Sequence, residues 1–226
     1  MIPRRDILKL LTAFVLMPDR LLASQIANKG LNWSQFISSM KALAGVHSEN
    51  AGLTAKQGMA LLASLDVHAN DFSQQVSNAW ESGNRFWVWQ RLTREKDMLG
   101  GILSIEKGQD IPMHDHPGAT GMVRILEGEA EVWQYDVVER IDSGGQVELK
   151  QHVHRRLKPG DTAFLLPAKG NIHTLRSVTP ECRMLDYFIP PYQRMERKWY
   201  VPIRQKWSDK DIVRCREIPE QEFQTS

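Results

Sequence analysis

Apolar residues recur three and four positions apart early in the chain and at every second position later, which predicts helices followed by strands. From about Asn32 to Glu81 the period is helical. Phe36, Met40 and Leu43 follow the candidate caps Asn32 and Ser34. Thr54-Ala55-Lys56-Gln57 has the form of a capping box, and Met59, Leu62 and Leu65 continue an apolar face. His68-Ala69-Asn70-Asp71 reads as a stop, with a shorter helical piece running to Trp80. After Gly83 the period changes. Strand-like runs are predicted over 85–92, 98–105, 122–126, 130–135, 147–155, 162–166, 172–178 and 183–189. Glu127-Gly128-Glu129 and Asp142-Ser143-Gly144-Gly145 read as hairpin turns between them. Short strands at this spacing predict a mainly β fold, an antiparallel barrel or jelly roll. Residues 24–84 form a helical segment packed on it, and 85–226 hold the barrel with a C-terminal extension.

The first residues follow neither pattern. Arg4 and Arg5 precede an apolar stretch from Leu10 to Met17, then Pro18, Asp19 and Arg20, and the small pair Ala23-Ser24. This order is that of an export signal, and Arg4-Arg5-Asp6-Ile7-Leu8-Lys9 resembles the twin-arginine type of bacteria. Residues 1–23 are therefore read as a leader and the protein as periplasmic, with a cytoplasmic location as the alternative. Leu21 stands where cleavage favours a small side chain, so cleavage after Ala23 and retention as an anchor both stay open. Removing 1–23 takes four basic and two acidic residues out of 29 and 27, leaving 25 of each. The small positive excess belongs to the leader, and no basic surface for nucleic acid is implied. No apolar run reaches the ~20 residues of a bilayer span. The length of 226 residues fits one sizeable domain, and 42% apolar residues can fill its core. We expect a monomer. Cys182 and Cys215, 33 positions apart, cannot build a disulfide scaffold, and free thiols are the commoner outcome.

The chemistry lies in the strand region. In His114-Asp115-His116 the two imidazoles, two positions apart on a strand, point to one face. His173 follows Lys169-Gly170-Asn171-Ile172 in a later strand, and a third imidazole there completes a facial set for a divalent first-row metal. Gly108, five residues and then His-x-His resembles the first metal motif of the cupin superfamily. Gly160 through Pro167, with Gly170 and His173, resembles the second, with one extra residue before Gly170. The cupin pattern adds a glutamate four or five residues past the second histidine. Here that stretch is Pro117-Gly118-Ala119-Thr120-Gly121, which offers no carboxylate. Three neutral ligands leave a divalent ion its full charge, which favours a bound thiolate over a thiol.

Ile111-Pro112-Met113-His114-Asp115-His116-Pro117-Gly118, Arg124-Ile125-Leu126-Glu127-Gly128 and Tyr135-Asp136 occur in order. Gly170-Asn171-Ile172-His173, Val178-Thr179-Pro180, Leu185-Asp186 and Pro190-Pro191-Tyr192 follow. Over roughly residues 87–200 the chain resembles the thiol dioxygenases of the plant cysteine oxidase and 2-aminoethanethiol dioxygenase type. The resemblance implies a cupin barrel, Fe(2+) on His114, His116 and His173, and oxidation of a thiol to a sulfinate by O2. The substrate is then a small thiol or an N-terminal cysteine. The resemblance also gives Asp186 the part of a carboxylate beside the metal that orients ligand or substrate, and Tyr192 that of a hydroxyl donor. A cysteine that some members carry shortly after this tyrosine has no counterpart in 194–199.

Other residues invite the same chemistry less strongly. His152-Val153-His154 is a second His-x-His, but Glu148, Lys150 and Arg156 mark its strand face as solvated. His47 and His68 read as surface or capping residues, and Trp87, Trp89 and Trp133 as barrel core. Arg91 is a candidate for holding a substrate carboxylate, with a surface position as the commoner reading. Two competing functions stay in view: a non-catalytic cupin binding a metal or small ligand in the cell envelope, and a cupin enzyme of other chemistry.

Overall fold

The computed structural model describes residues 30–46, 50–83, 87–142, 144–204 and 206–225, so the leader at 1–23 and His47 lie outside the described residues. Helix α1 (Trp33–Gly45) starts at Asn32, whose side chain accepts from the Gln35 N–H at 2.9 Å while the Gln35 side chain accepts from the Asn32 N–H at 3.1 Å. The capping box therefore stands here rather than at Thr54–Gln57. That tetrapeptide lies inside α2 (Ala51–Ser64), because Asn50 caps the Leu53 N–H at 3.0 Å one turn earlier. His68–Asp71 is also corrected, from a stop to the start of α3 (Asn70–Ser77). The Asp71 carboxylate accepts from the Trp33 N–H at 2.9 Å and ties α3 to the start of α1.

Among the described residues twelve strands follow, all paired antiparallel. Six form an open sheet: β1 (Trp80–Gly83), β2 (Trp87–Arg94), β3 (Leu99–Glu106), β10 (Glu181–Ile189), β5 (Thr120–Glu127) and β8 (Thr162–Leu165), in that order. The other six close on themselves: β11 (Lys198–Pro202), β12 (Ile212–Pro219), β7 (Gln146–Leu157), β6 (Ala130–Arg140), β9 (Ile172–Ser177) and β4 (Asp110–His114). A last short helix, α4 (Glu220–Thr225), ends the described chain. The eight forecast strands are present. The forecast runs left out β4, β11 and β12 and took 80–81 as helical, whereas they pair with β2.

Each layer buries its own cluster. Phe36, Met40 and Leu62 of the helices pack with Met98, Ile102, Leu185, Tyr187 and Ile189 on the outer face of the open sheet. Leu103, Ile105, Ile125 and Met184 on the inner face meet Val132, Leu157 and Leu175 of the closed barrel. Met113, Tyr135, Leu149, Ile172, Tyr200 and Val213, one from each barrel strand, fill the barrel itself. Strand β10 thus serves two layers, with Leu185, Tyr187 and Ile189 toward the helices and Met184 and Asp186 inward. Arg124 fastens the helices to the sheet. Its guanidinium donates to the carbonyls of Leu62 and Leu65 at 2.7 and 2.8 Å, satisfying acceptors at the C-terminus of α2. Among the described residues no helix is long and apolar enough to cross a membrane.

Candidate metal centre

The histidines meet because β4 carries one extra residue. Ile111 pairs with Leu175 and His114 with His173, so three steps along β4 answer two along β9. This bulge puts Ile111 in the cluster between the sheets and Met113 inside the barrel, and aims His114 at His173. The expected i, i+2 pairing on one strand needs a correction. His114 is the last residue of β4, and His116 lies in the turn beyond it. Asn171 secures that turn: its Oδ1 accepts from the His116 N–H at 2.6 Å, and its Nδ2 donates to the carbonyls of His116 and Leu166 at 3.2 and 3.0 Å. Asp115, pointing elsewhere, accepts from the Lys198 N–H at 2.8 Å and the Tyr200 hydroxyl at 3.3 Å.

The three Nε2 atoms form a near-equilateral triangle: 3.1 Å from His114 to His116, 3.2 Å from His116 to His173 and 3.3 Å from His173 to His114. Their residues are 5%, 3% and 9% exposed. His114 Nδ1 is 2.8 Å from the Pro112 carbonyl, which can only accept, so Nδ1 carries the proton and Nε2 a lone pair. Burial drives the His114 and His116 values well below the ordinary 6.5, and neighbouring histidines and Arg197 push the same way. His173 is lowered to about 4 by burial and by Arg197. With His114 Nε2 a lone pair, neutral imidazoles cannot make hydrogen bonds along all three edges at once, whereas a cation at the centre answers all three nitrogens. Metal–nitrogen bonds of about 2.1 Å at 90–109° would separate the nitrogens by about 3.0–3.4 Å, which brackets the observed edges. No Asp or Glu among the described residues joins this group, whose ligand atoms all lie within 4.8 Å.

Asp186 and His173 line one small cavity with Gln134, Phe164, Leu165 and Met184. Burial raises the Asp186 carboxyl to about 8, against one lowering contact from the Tyr187 N–H. The Tyr192 ring stands edge-on to His116 with centroids 4.4 Å apart, and Phe188 lies 4.4 Å from the same imidazole. The Tyr192 hydroxyl is pushed up by burial, with Arg197 opposing. The predicted site residues therefore surround one histidine cluster.

Sequence reading missed the support on the far side. Trp199 pairs across strands with His114, their ring centroids 4.9 Å apart. Arg197 lies over Trp199 at 4.5 Å and over Tyr192 at 5.9 Å. Glu220, 1% exposed, accepts from Arg197, Arg194 and the Trp199 indole. Burial would raise its carboxyl, but these donors overcome that and hold it at about 2. Asn171 alone had a signal, since it adjoins His173 in a quoted motif. The rest come from sequence-distant strands.

The remaining candidates lie elsewhere. His152 is exposed, and His154 stacks on Trp133 at 4.5 Å beside Glu131. Arg91 covers Trp80 at the sheet edge, 4.7 Å from its ring centroid. Cys182 and Cys215 are free and buried in separate clusters, their thiols pushed up by burial to about 12.

Two antiparallel β layers enclosing three histidines define a cupin-type barrel with a candidate metal centre. The chain belongs to the PCO_ADO family, whose model matches residues 47–216. It is 25% identical over 117 residues to human 2-aminoethanethiol dioxygenase, a match covering 41% of this chain and 42% of that protein. A probable 2-aminoethanethiol dioxygenase of Dictyostelium discoideum is 26% identical over 117 residues, covering 49% and 52%. The chain thus spans about half the length of these relatives, or less. Among solved structures, a Klebsiella pneumoniae protein with a double-stranded β-helix domain is 20% identical with a TM-score of 0.39, covering 52% of this chain and 88% of that one. An RmlC-like cupin from Shewanella frigidimarina is 20% identical with a TM-score of 0.38, covering 50% and 86%.

Proposed function

We propose that the protein is an iron-dependent thiol dioxygenase, converting a small thiol or an N-terminal cysteine to a sulfinate. The observation that carries this reading is the triangle of three neutral histidines, with no carboxylate among its grouped ligand atoms in the described residues, in a chain of this family. His114, His116 and His173 would hold ferrous iron, which would supply the redox chemistry that joins thiolate to dioxygen. Both oxygen atoms of O2 go to sulfur, which loses four electrons while O2 gains four, and no further reductant is needed. The protein holds the reactants and moves protons. Asp186, beside His173 in the cavity, is favoured as the carboxylate by a bound cation, and in that form it orients the substrate and accepts an amine hydrogen bond. Tyr192 keeps its hydroxyl proton at neutral pH and donates it as a hydrogen bond to the reacting group. Phe188, Met184 and Leu165 limit water at the site.

The test is apoprotein loaded anaerobically with Fe(II) and offered cysteine, cysteamine and peptides starting with cysteine. Oxygen consumption should depend on thiol, and mass spectrometry should show a gain of about 32 Da on sulfur. No consumption with any of the three classes would remove the proposal. We further propose twin-arginine export of the folded protein. Replacing Arg4 and Arg5 by lysine should keep it in the cytoplasmic fraction, and unchanged fractionation would count against this route.

A further inference from the structure

We propose that Glu220 is a positioning residue for the histidine cluster: it clamps Arg197 and offsets its charge, so that the guanidinium bridging Trp199 and Tyr192 does not oppose a bound cation. The inference rests on the metal-centre reading above. Its observations are geometric. Glu220 sits at the start of α4, 1% exposed, and takes both the Nε and Nη2 of Arg197 at 2.8 Å. It also accepts from Arg194 at 2.9 Å, the Trp199 indole at 2.6 Å and Gln224 at 2.7 Å. Phe223 stacks on Trp199 at 4.0 Å and 10°, so α4 packs against the same indole. The clamped guanidinium bridges two rings, and each ring rests on a candidate ligand: Trp199 on His114 and Tyr192 on His116.

A buried cation needs a partner, and here the partner comes from the far end of the chain. With Glu220 ionised, Arg197 is compensated and fixed in place. With a neutral residue at 220, the positive charge near three cation-binding nitrogens goes unanswered. Arg197 holds the Glu220 carboxylate and lies over the Trp199 and Tyr192 rings, and its charge lowers the proton affinity of all three candidate ligands. Charge and packing predict opposite signs for two variants. Glu220→Gln keeps shape and removes the counter-charge, whereas Arg197→Gln removes the cation and leaves the carboxylate.

The experiment titrates full-length apoprotein with Co(II), following the visible ligand-field bands and the heat of binding, with no turnover in the readout. Glu220→Gln should bind Co(II) about 10-fold more weakly than the parent, the scale of lost support behind metal ligands. Arg197→Gln should bind at least as tightly as the parent, and the double variant should regain most of the lost affinity. Parent-like binding by Glu220→Gln, or a 10-fold loss in Arg197→Gln, overturns the proposal. Should Glu220→Gln fail to fold in a metal-free melt, the sign for Arg197→Gln alone decides. A parent that binds neither Co(II) nor Fe(II) removes the metal reading and this proposal together. A binding parent with an indifferent Glu220→Gln removes this proposal alone.

Discussion

Replacing Asp186 by asparagine should make the metal-free protein more stable, and increasingly so as pH rises. The carboxyl is raised from its ordinary 3.8 to about 8 by burial beside His173. A folded-state value above the unfolded one means the unfolded chain loses its proton first. Stability attached to this group is thus complete below about pH 3.8 and drains away as pH climbs toward 8. The full separation corresponds to about 5–6 kcal/mol above pH 8. Asp186 is only partly covered, and solvent reaching it leaves roughly 2–3 kcal/mol of that. Asparagine fills nearly the same space and never ionises. The gap in unfolding free energy should therefore be near zero at pH 4 and about 2–3 kcal/mol at pH 8, or about 5–10 °C in Tm. Urea melts of chelator-stripped parent and Asp186→Asn at four pH values measure it, and added Co(II) should narrow the gap by favouring the carboxylate. A gap that stays flat from pH 4.5 to 8.5, or a less stable Asp186→Asn at pH 8, would refute the reasoning.

Three further outcomes are expected. Arg124→Met should cost about 2–3 kcal/mol in urea unfolding, because two carbonyls at the end of α2 lose their donor, while Co(II) affinity stays within twofold. Asn171→Ala should weaken Co(II) binding about 10-fold by freeing the His116 turn; an unchanged isotherm would deny it that part. Apoprotein stability should fall as pH drops from 6.5 toward 4, because His173 binds its proton near 4 when folded and near 6.5 when unfolded. His173→Leu should flatten that slope by about one proton, and an identical slope would place the loss elsewhere.

Periodicity carried the strand order and the helical segment because each β run alternates and each helix repeats every three or four residues. The site was legible for a different reason. His114, His116 and His173 sit within short motifs around a bulge and a turn, where local sequence dictates local shape. The mistakes fall where two local solutions compete. Thr54 could cap, yet Asn50 lies one turn ahead of it with a side chain of the right length. Trp80 continues the helical spacing, yet Gly83 ends the run and lets it fold back on β2. Glu220 and Arg197 carry no pattern at all, since their pairing depends on β11 and β12 closing the barrel.

One strand, β10, hands alternate side chains to the helices and to the cavity beside His173. A slip of a single residue there would drive an acid into the greasy seam under α1 and turn Tyr187 toward the imidazoles. The helical layer therefore proofreads a cavity whose lining, among the described residues, comes from strands: only the correct setting of that strand lets both sides close, so an intact helical seam certifies the placement of Asp186.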